Sequence, residues 1–223
     1  MKLAIVGYGK MGRLIDQLAP EAGFDVAARI DAGDDISAAN GADVAIEFTE
    51  PESAVKNLLG LAKLKVPVVC GTTGWFGRLH EVRSAVESSG TGLVYSANFS
   101  VGVNVFTRAV AEAARLLANE EDYAVWAWEI HHSAKKDAPS GTLLKLTGAM
   151  KAAGYNRPID VSSNRAGAHP GTHEVGFDSS ADTITLRHVA RNREGFARGA
   201  LKAARWVVGK QGVWEFSEVL FGR

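Results

Sequence analysis

The sequence predicts an α/β protein: a doubly wound parallel sheet followed by a C-terminal α+β domain. Three observations carry the prediction. The chain opens on a short apolar strand that runs directly into Gly7-Tyr8-Gly9-Lys10-Met11-Gly12 and a helix. Strand-like and helix-like segments then alternate as far as Ser96, the pattern of parallel strands joined by crossover helices. Near Ser100 the alternation stops, which places a domain boundary there.

Lys2 to Val6 is the first strand, and Leu14, Ile15 and Leu18 recur at helical spacing behind the glycines. Strand, Gly-x-Gly-x-x-Gly and helix in that order make the dinucleotide fingerprint of a Rossmann domain. Gly7 forms the tight turn, Gly9 lets a pyrophosphate approach the backbone, and Gly12 lets the helix pack closely. A second strand, Phe24 to Ile30, ends at Asp31, 19 residues after Gly12, where a carboxylate can accept hydrogen bonds from the adenosine ribose. No arginine immediately follows Asp31 to compensate a 2′-phosphate, so NADH is the expected cofactor; Lys10 and Arg13 keep NADPH open.

Asp43 to Phe48 reads as a third strand, Pro51 starts a helix through Val55, Leu58, Leu59 and Leu61, and Val66 to Cys70 is a fourth strand. Ligands of doubly wound sheets gather at the carboxyl ends of strands, which puts Thr49 and the loop Gly71-Thr72-Thr73-Gly74 along the cofactor, the threonines able to bond a carboxamide. A helix with Leu79, Val82 and Val86 precedes a fifth strand, Gly92 to Ser96. It leads into Ala97, Asn98 and Phe99, which complete the expected cofactor set with Gly7, Gly9, Lys10, Met11, Gly12, Asp31, Thr49, Gly71, Thr72 and Thr73.

The second region begins with a long amphipathic helix carrying Val103, Phe106, Val110, Ala114 and Leu117 on one side. A strand from Tyr123 to Ile130, a helix to about Tyr155, and strands at Thr172 to Phe177 and Asp182 to Ala190 follow. A helix spans Gly195 to Gly209, and the apolar tail Val213 to Leu220 is expected to dock on the first domain. Residues 1–99, joined by about 206–223, are thus expected to bind the dinucleotide, and 100–205 to form a substrate and oligomerisation domain. Trp126, Trp128 and the alternation at 183–189 leave a sheet face that its few helices cannot cover, so an oligomer is expected.

The densest chemistry lies at Glu129-Ile130-His131-His132-Ser133-Ala134-Lys135-Lys136-Asp137-Ala138-Pro139-Ser140-Gly141-Thr142. Leu143, Leu144, Leu146 and Met150 follow at helical spacing, so the segment reads as strand end, loop and helix N-terminus, with Pro139 near the first turn. It combines imidazoles that titrate near neutrality, two ammonium groups, and helix N–H groups that favour an anion. Such a site can hold a carboxylate and move a proton. Neighbouring strand residues face opposite ways, so His131 and His132 could not both ligate a metal, and none is expected.

Composition sets the outer limits. A chain of 223 residues with 46% hydrophobic and 22% charged side chains is an ordinary globular one. Its 25 basic and 25 acidic side chains cancel, so neither nucleic acid nor a membrane is an expected partner. A single cysteine excludes an internal disulfide framework; no run resembles a signal peptide or a membrane span, and a cytoplasmic location is expected.

The fingerprint, Gly71-Thr72-Thr73-Gly74, Asn98-Phe99-Ser100-Val101-Gly102-Val103-Asn104 and the stretch from Glu129 to Thr142 together resemble the dihydrodipicolinate reductase family, also called 4-hydroxy-tetrahydrodipicolinate reductases. The likeness continues through Arg165-Ala166-Gly167, Gly171-Thr172-His173 and Phe196-Ala197-Arg198-Gly199-Ala200; Lys10 stands where many relatives have Arg. The resemblance implies hydride transfer from NAD(P)H to a small cyclic dicarboxylate in the diaminopimelate route to lysine. It implies His131 as proton donor, Lys135 as its charged partner, and His132, Lys135, Ser140, Gly141 and Thr142 as the substrate-carboxylate cradle. It also implies a homotetramer joined through the sheets of the second domains. Two rival readings stay open at this point: a semialdehyde-type dehydrogenase with Cys70 as nucleophile, and a dinucleotide sensor without chemistry.

Overall fold

The computed structural model describes residues 1–222 and divides into two compact units, 1–100 with 194–222, and Val101–Arg193. In chain order the first unit begins β1 (Lys2–Val6), α1 (Lys10–Leu18), β2 (Asp25–Ile30), β3 (Val44–Glu47), α2 (Pro51–Lys63), β4 (Val68–Cys70), α3 (Leu79–Ser89) and β5 (Gly92–Tyr95). The second contains α4 (Val101–Leu116), β6 (Ala124–His131), α5 (Gly141–Ala152), β7 (Ile159–Arg165), β8 (Thr172–Asp178) and β9 (Thr183–Val189). The chain then returns to the first unit through α6 (Glu194–Val207), β10 (Gly212–Glu215) and α7 (Phe216–Phe221).

The first sheet has the order β10-β5-β4-β3-β1-β2, and every pairing in it is parallel. Its central strands are apolar on both faces, as a sheet covered on both sides requires: Leu3, Ile5, Ile46, Val69 and Val94 pack with α1 and α6, while Ala4, Val6, Ala45, Val68 and Leu93 pack with α2 and α3. β2 and β3 lie on opposite sides of β1, which makes the β1/β3 edge the topological switch point where such sheets bind ligands.

Helix α6 belongs to this first unit and not to the 100–205 segment the sequence suggested. Ala197, Ala200, Ala203, Ala204 and Val207 form a small-residue face that lies directly on the sheet, buried with Ile15, Leu18 and Phe99. The tail does more than dock, since Gly212–Glu215 extends the sheet by pairing with β5.

In the second unit the sheet order is β7-β6-β8-β9, with β6 parallel to β7 and the other pairs antiparallel. The strand β7 is absent from the sequence reading. Ile-Asp-Val-Ser-Ser-Asn-Arg has too few apolar residues to signal a strand, because it is an edge strand with most of its positions exposed. One face of the sheet meets α4 and α5, where Val125, Ala127, Val175 and Phe177 are buried with Phe106, Leu143 and Leu146. β6 ends one residue later than expected, at His131, and Pro139 lies before the N-cap Ser140 and outside the first turn of α5.

Candidate active site

The alternation of β6 puts Glu129 and His131 on the face covered by helices, while His132 falls outside the strand. Glu129 is fully buried, and the strands on both sides close round it. Ser163 lies opposite it on β7 and His173 opposite it on β8. One carboxylate oxygen, Oε1, accepts the Ser140 N–H at 2.8 Å, the Ser163 hydroxyl at 2.9 Å and an Arg165 guanidinium N–H at 3.0 Å. Oε2 makes no hydrogen bond, and the Nε2 of His173 and the Nδ1 of His131 lie 3.3 and 3.5 Å from an oxygen of this carboxylate, Oε2 in both cases. Burial would push the Glu129 pKa up; the bonds from Ser140, Arg165 and Ser163 outweigh it and hold the group at about 2. A permanent anion therefore sits beneath the two imidazoles.

His131 is nearly sealed, with 11% of its side chain exposed, and its Nδ1 is buried without a hydrogen bond. Burial lowers its pKa, the charge of Glu129 opposes that, and Lys135 and Arg165 add to the lowering. His173 is pushed down to about 4 by burial and by the neighbouring His131. Its Nε2 is 3.2 Å from the Ser140 hydroxyl. Both rings are thus biased toward the neutral form, His173 the more strongly. Gly171, at φ +136°, stands on the other edge of His131, and a Cβ there would come within 3.1 Å of Nε2 and Cδ2.

The loop after β6 carries Lys135, whose ammonium pairs with Asp137 at 2.6 and 2.8 Å. Lys135 beside it is the largest cause that holds the Asp137 pKa below the usual carboxylate range. An internal carboxylate thus occupies the lysine. Ser140 is buried and its hydroxyl accepts from the Leu143 N–H, so it acts as the cap that fixes the Gly141 and Thr142 end of the helix. His132 is half-buried and Gly141 exposed. Of the expected set, His131, Lys135, Ser140, Gly141 and Thr142 cluster about the end of β6 and the start of α5. Glu129, Ser163, Arg165, Gly171 and His173 are the site residues that the sequence reading left without a role. The i, i+2 spacing of Glu129 and His131 was a legible signal; the cross-strand partners needed the register.

The dinucleotide fingerprint is built as its glycines demand. A Cβ on Gly7 would overlap the Phe48 carbonyl oxygen at the end of β3, and one on Gly12 would overlap the Gly7 carbonyl. Gly9 is the N-cap of α1, has open space where a Cβ would stand, and leaves the first N–H groups of the helix without a side-chain cap. Such a helix N-terminus, with open space before it, suits an anion. Lys10 is exposed beside it, Met11 packs into the core, and Asp31 is exposed at the end of β2 with an oxygen 3.4 Å from the Tyr8 N–H. Thr49 and Thr72 meet at the ends of β3 and β4, but the Thr72 hydroxyl is occupied by the Thr49 N–H at 2.7 Å, while Thr73 is exposed. Ala97 is exposed, Asn98 accepts the Ser100 N–H at 2.9 Å, and the Phe99 ring is core.

Cys70 is fully buried with its thiol on the Glu47 carboxylate at 2.9 Å. Burial first and Glu47 second raise its pKa well above the ordinary thiol range, which leaves no nucleophilic thiolate. Among the described residues, Glu129, His131 and His173 bring ligand atoms within 4.8 Å of one another, a set that could hold a metal; the Arg165 guanidinium already balances the same carboxylate. No helix among the described residues is long and apolar enough to cross a membrane.

The family model for the N-terminus of dihydrodipicolinate reductase matches residues 1–99 and that for its C-terminus matches 102–220. A 4-hydroxy-tetrahydrodipicolinate reductase of Christiangramia forsetii is 35% identical over 99% of this chain and 98% of its own length. One from Methanoregula boonei is 36% identical over 98% and 97%. The solved structure of a dipicolinate-bound dihydrodipicolinate reductase from Paenisporosarcina sp. TG-14 has the same fold, with a TM-score of 0.84 at 19% identity over 98% of this chain and 99% of its own. The match of residues 1–99 to the N-terminal family model carries pyridine-nucleotide binding, NAD or NADP, with it. Two matched halves and full-length relatives above 30% identity lead to one statement of kinship: the chain belongs to the dihydrodipicolinate reductase family.

Proposed function

We propose that this chain reduces 4-hydroxy-tetrahydrodipicolinate to tetrahydrodipicolinate with NAD(P)H, in the diaminopimelate route to lysine. One observation carries the reading. At the end of β6 a nearly sealed imidazole, His131, sits over a buried anion, followed by an ammonium and a capped helix N-terminus in the motif this family carries. When bound, a reduced nicotinamide supplies a hydride to the substrate ring. The added electron pair moves through the ring conjugated to its imine, and the atom that receives it must take a proton. His131 gives that proton and returns to the neutral form its burial favours. A hydroxylated ring first loses its hydroxyl together with a proton from the adjacent ring carbon as water, which leaves the conjugated ring that takes the hydride.

The substrate's own charge loads the acid. Two carboxylates beside His131 favour the imidazolium and offset the burial that biases the ring toward its neutral form. Lys135, His132 and the N–H groups of Gly141 and Thr142 form the cradle, and Ser140 holds that helix end in place. The substrate carboxylate displaces Asp137 from Lys135. NADH is the preferred cofactor, held by Gly7, Gly9, Lys10, Met11, Gly12, Asp31, Thr49, Gly71, Thr72, Thr73, Ala97, Asn98 and Phe99; the exposed Asp31 carboxylate disfavours a 2′-phosphate. The half-exposed Trp126, Trp128 and Ile130 on the helix-free face of the second sheet support a homotetramer formed through it, working in the cytoplasm. A coupled assay with freshly generated ring substrate and each nicotinamide in turn tests the reading. Turnover faster with NADH is expected, and no turnover with either nicotinamide would overturn it.

A further inference from the structure

We infer that Glu129 is a positioning residue for the reaction proposed above: its unbonded oxygen fixes the His131 ring with Nδ1–H toward the carboxylate, so that Nε2 is the proton-delivering edge. The inference rests on that reading of the reaction and deepens it.

Four features lead there. The carboxylate is immobile, because Ser140, Ser163 and Arg165, from α5's cap and from β7, all hold Oε1. Oε2 is left facing only ring nitrogens. The Nδ1 of His131 is buried and without a hydrogen bond, at 3.5 Å from Oε2. Two buried polar atoms so close, one of them anionic, complement each other only when the nitrogen carries the proton, and leaving both unsatisfied would be costly. The Nε2 edge, by contrast, lies at Gly171, where the missing side chain keeps it uncovered.

The charged surroundings fit the same assignment. Lys135 from the loop and Arg165 from β7 disfavour a positive charge on the ring, and Asp137 in that loop favours it weakly. His173 from β8, with His188 behind it on β9, is held neutral, so the ring has no fixed cation across the sheet. Glu129 is then the buried anion beside the ring that stabilises an imidazolium at 131 long enough for the proton to leave from Nε2. Fixed by three donors and depressed in basicity, it orients and stabilises without itself becoming the acid.

The experiment is nitrogen-15 NMR of the His131 ring in the intact chain, with Glu129→Gln as the variant and kcat, KM and the pH profile of kcat measured alongside. The wild-type ring is expected as the Nδ1–H tautomer. In Glu129→Gln, kcat falls by about tenfold or more with KM nearly constant, and the pKa of the acid read from the profile moves down, since the imidazolium loses its anion. A wild-type ring found as the Nε2–H tautomer would overturn the inference even if the variant does not fold. So would a folded variant with the parent pH profile. Absence of ring reduction by the wild type would instead remove the proposed function and leave the tautomer measurement standing.

Discussion

Glu129 and His131 occupy alternate positions of β6, on the same face, with a buried carboxylate oxygen 3.5 Å from a buried ring nitrogen. The pair makes the charge on His131 conditional. Burial pushes the ring toward its neutral form, and in the reaction proposed above an anionic substrate beside it favours the proton that the reaction consumes.

Lys135→Ala is expected to raise KM by about tenfold, the cost of losing a charge-assisted contact. Asp137→Asn should act in the opposite direction. It removes the internal carboxylate paired with Lys135 at 2.6 Å, and KM should fall by about two- to fivefold, the scale of an exposed ion pair. Steady-state kinetics of the two variants check the cradle; equal KM values for Lys135→Ala and wild type would remove the lysine from it.

Gly171→Ala places a methyl group 3.1 Å from the Nε2 of His131 and forces a residue other than glycine to φ +136°. Turnover should drop while dinucleotide binding, measured by fluorescence titration, stays as in wild type. Unaltered kcat would show that this edge of the ring is not the one facing substrate.

Acid should loosen the second unit earlier than carboxylates alone would. The folded pKa of His173 is depressed to about 4 from 6.5, so below 6.5 the unfolded chain binds a proton that the folded chain refuses, and stability falls as pH drops toward 4. Glu129, at about 2 against 4.5, continues the loss between those values. Thermal melts across this range should show a shallower decline between pH 6.5 and 4 for His173→Gln. Identical slopes would contradict the assignment of that window to His173.

Cys70→Ser should leave turnover nearly intact, because the buried thiol does no chemistry. Loss of activity in a folded Cys70→Ser protein would revive a cysteine-nucleophile reading.

Much of this was legible in the chain. The parallel domain followed from glycine spacing and apolar runs, since its central strands β1, β3 and β4 are buried on both faces and read as almost continuous apolar runs. The edge strand β7 was not, because Asp160, Ser162 and Asn164 carry no burial signal of their own. Missing it hid Ser163 and Arg165, and with them the pocket for the Glu129 carboxylate. The small side chains of α6 likewise gave no hint of which unit it covers; only the sheet it lies on decides that. For His131 the sequence supplied the residue and the structure its protonation, which depends on burial that no local pattern records.

The decisive measurement is turnover of the ring substrate by His131→Gln, with dinucleotide binding followed in parallel. A loss of about two orders of magnitude in kcat with binding retained is expected of a missing general acid. Wild-type turnover in the variant would show that the proton comes from elsewhere.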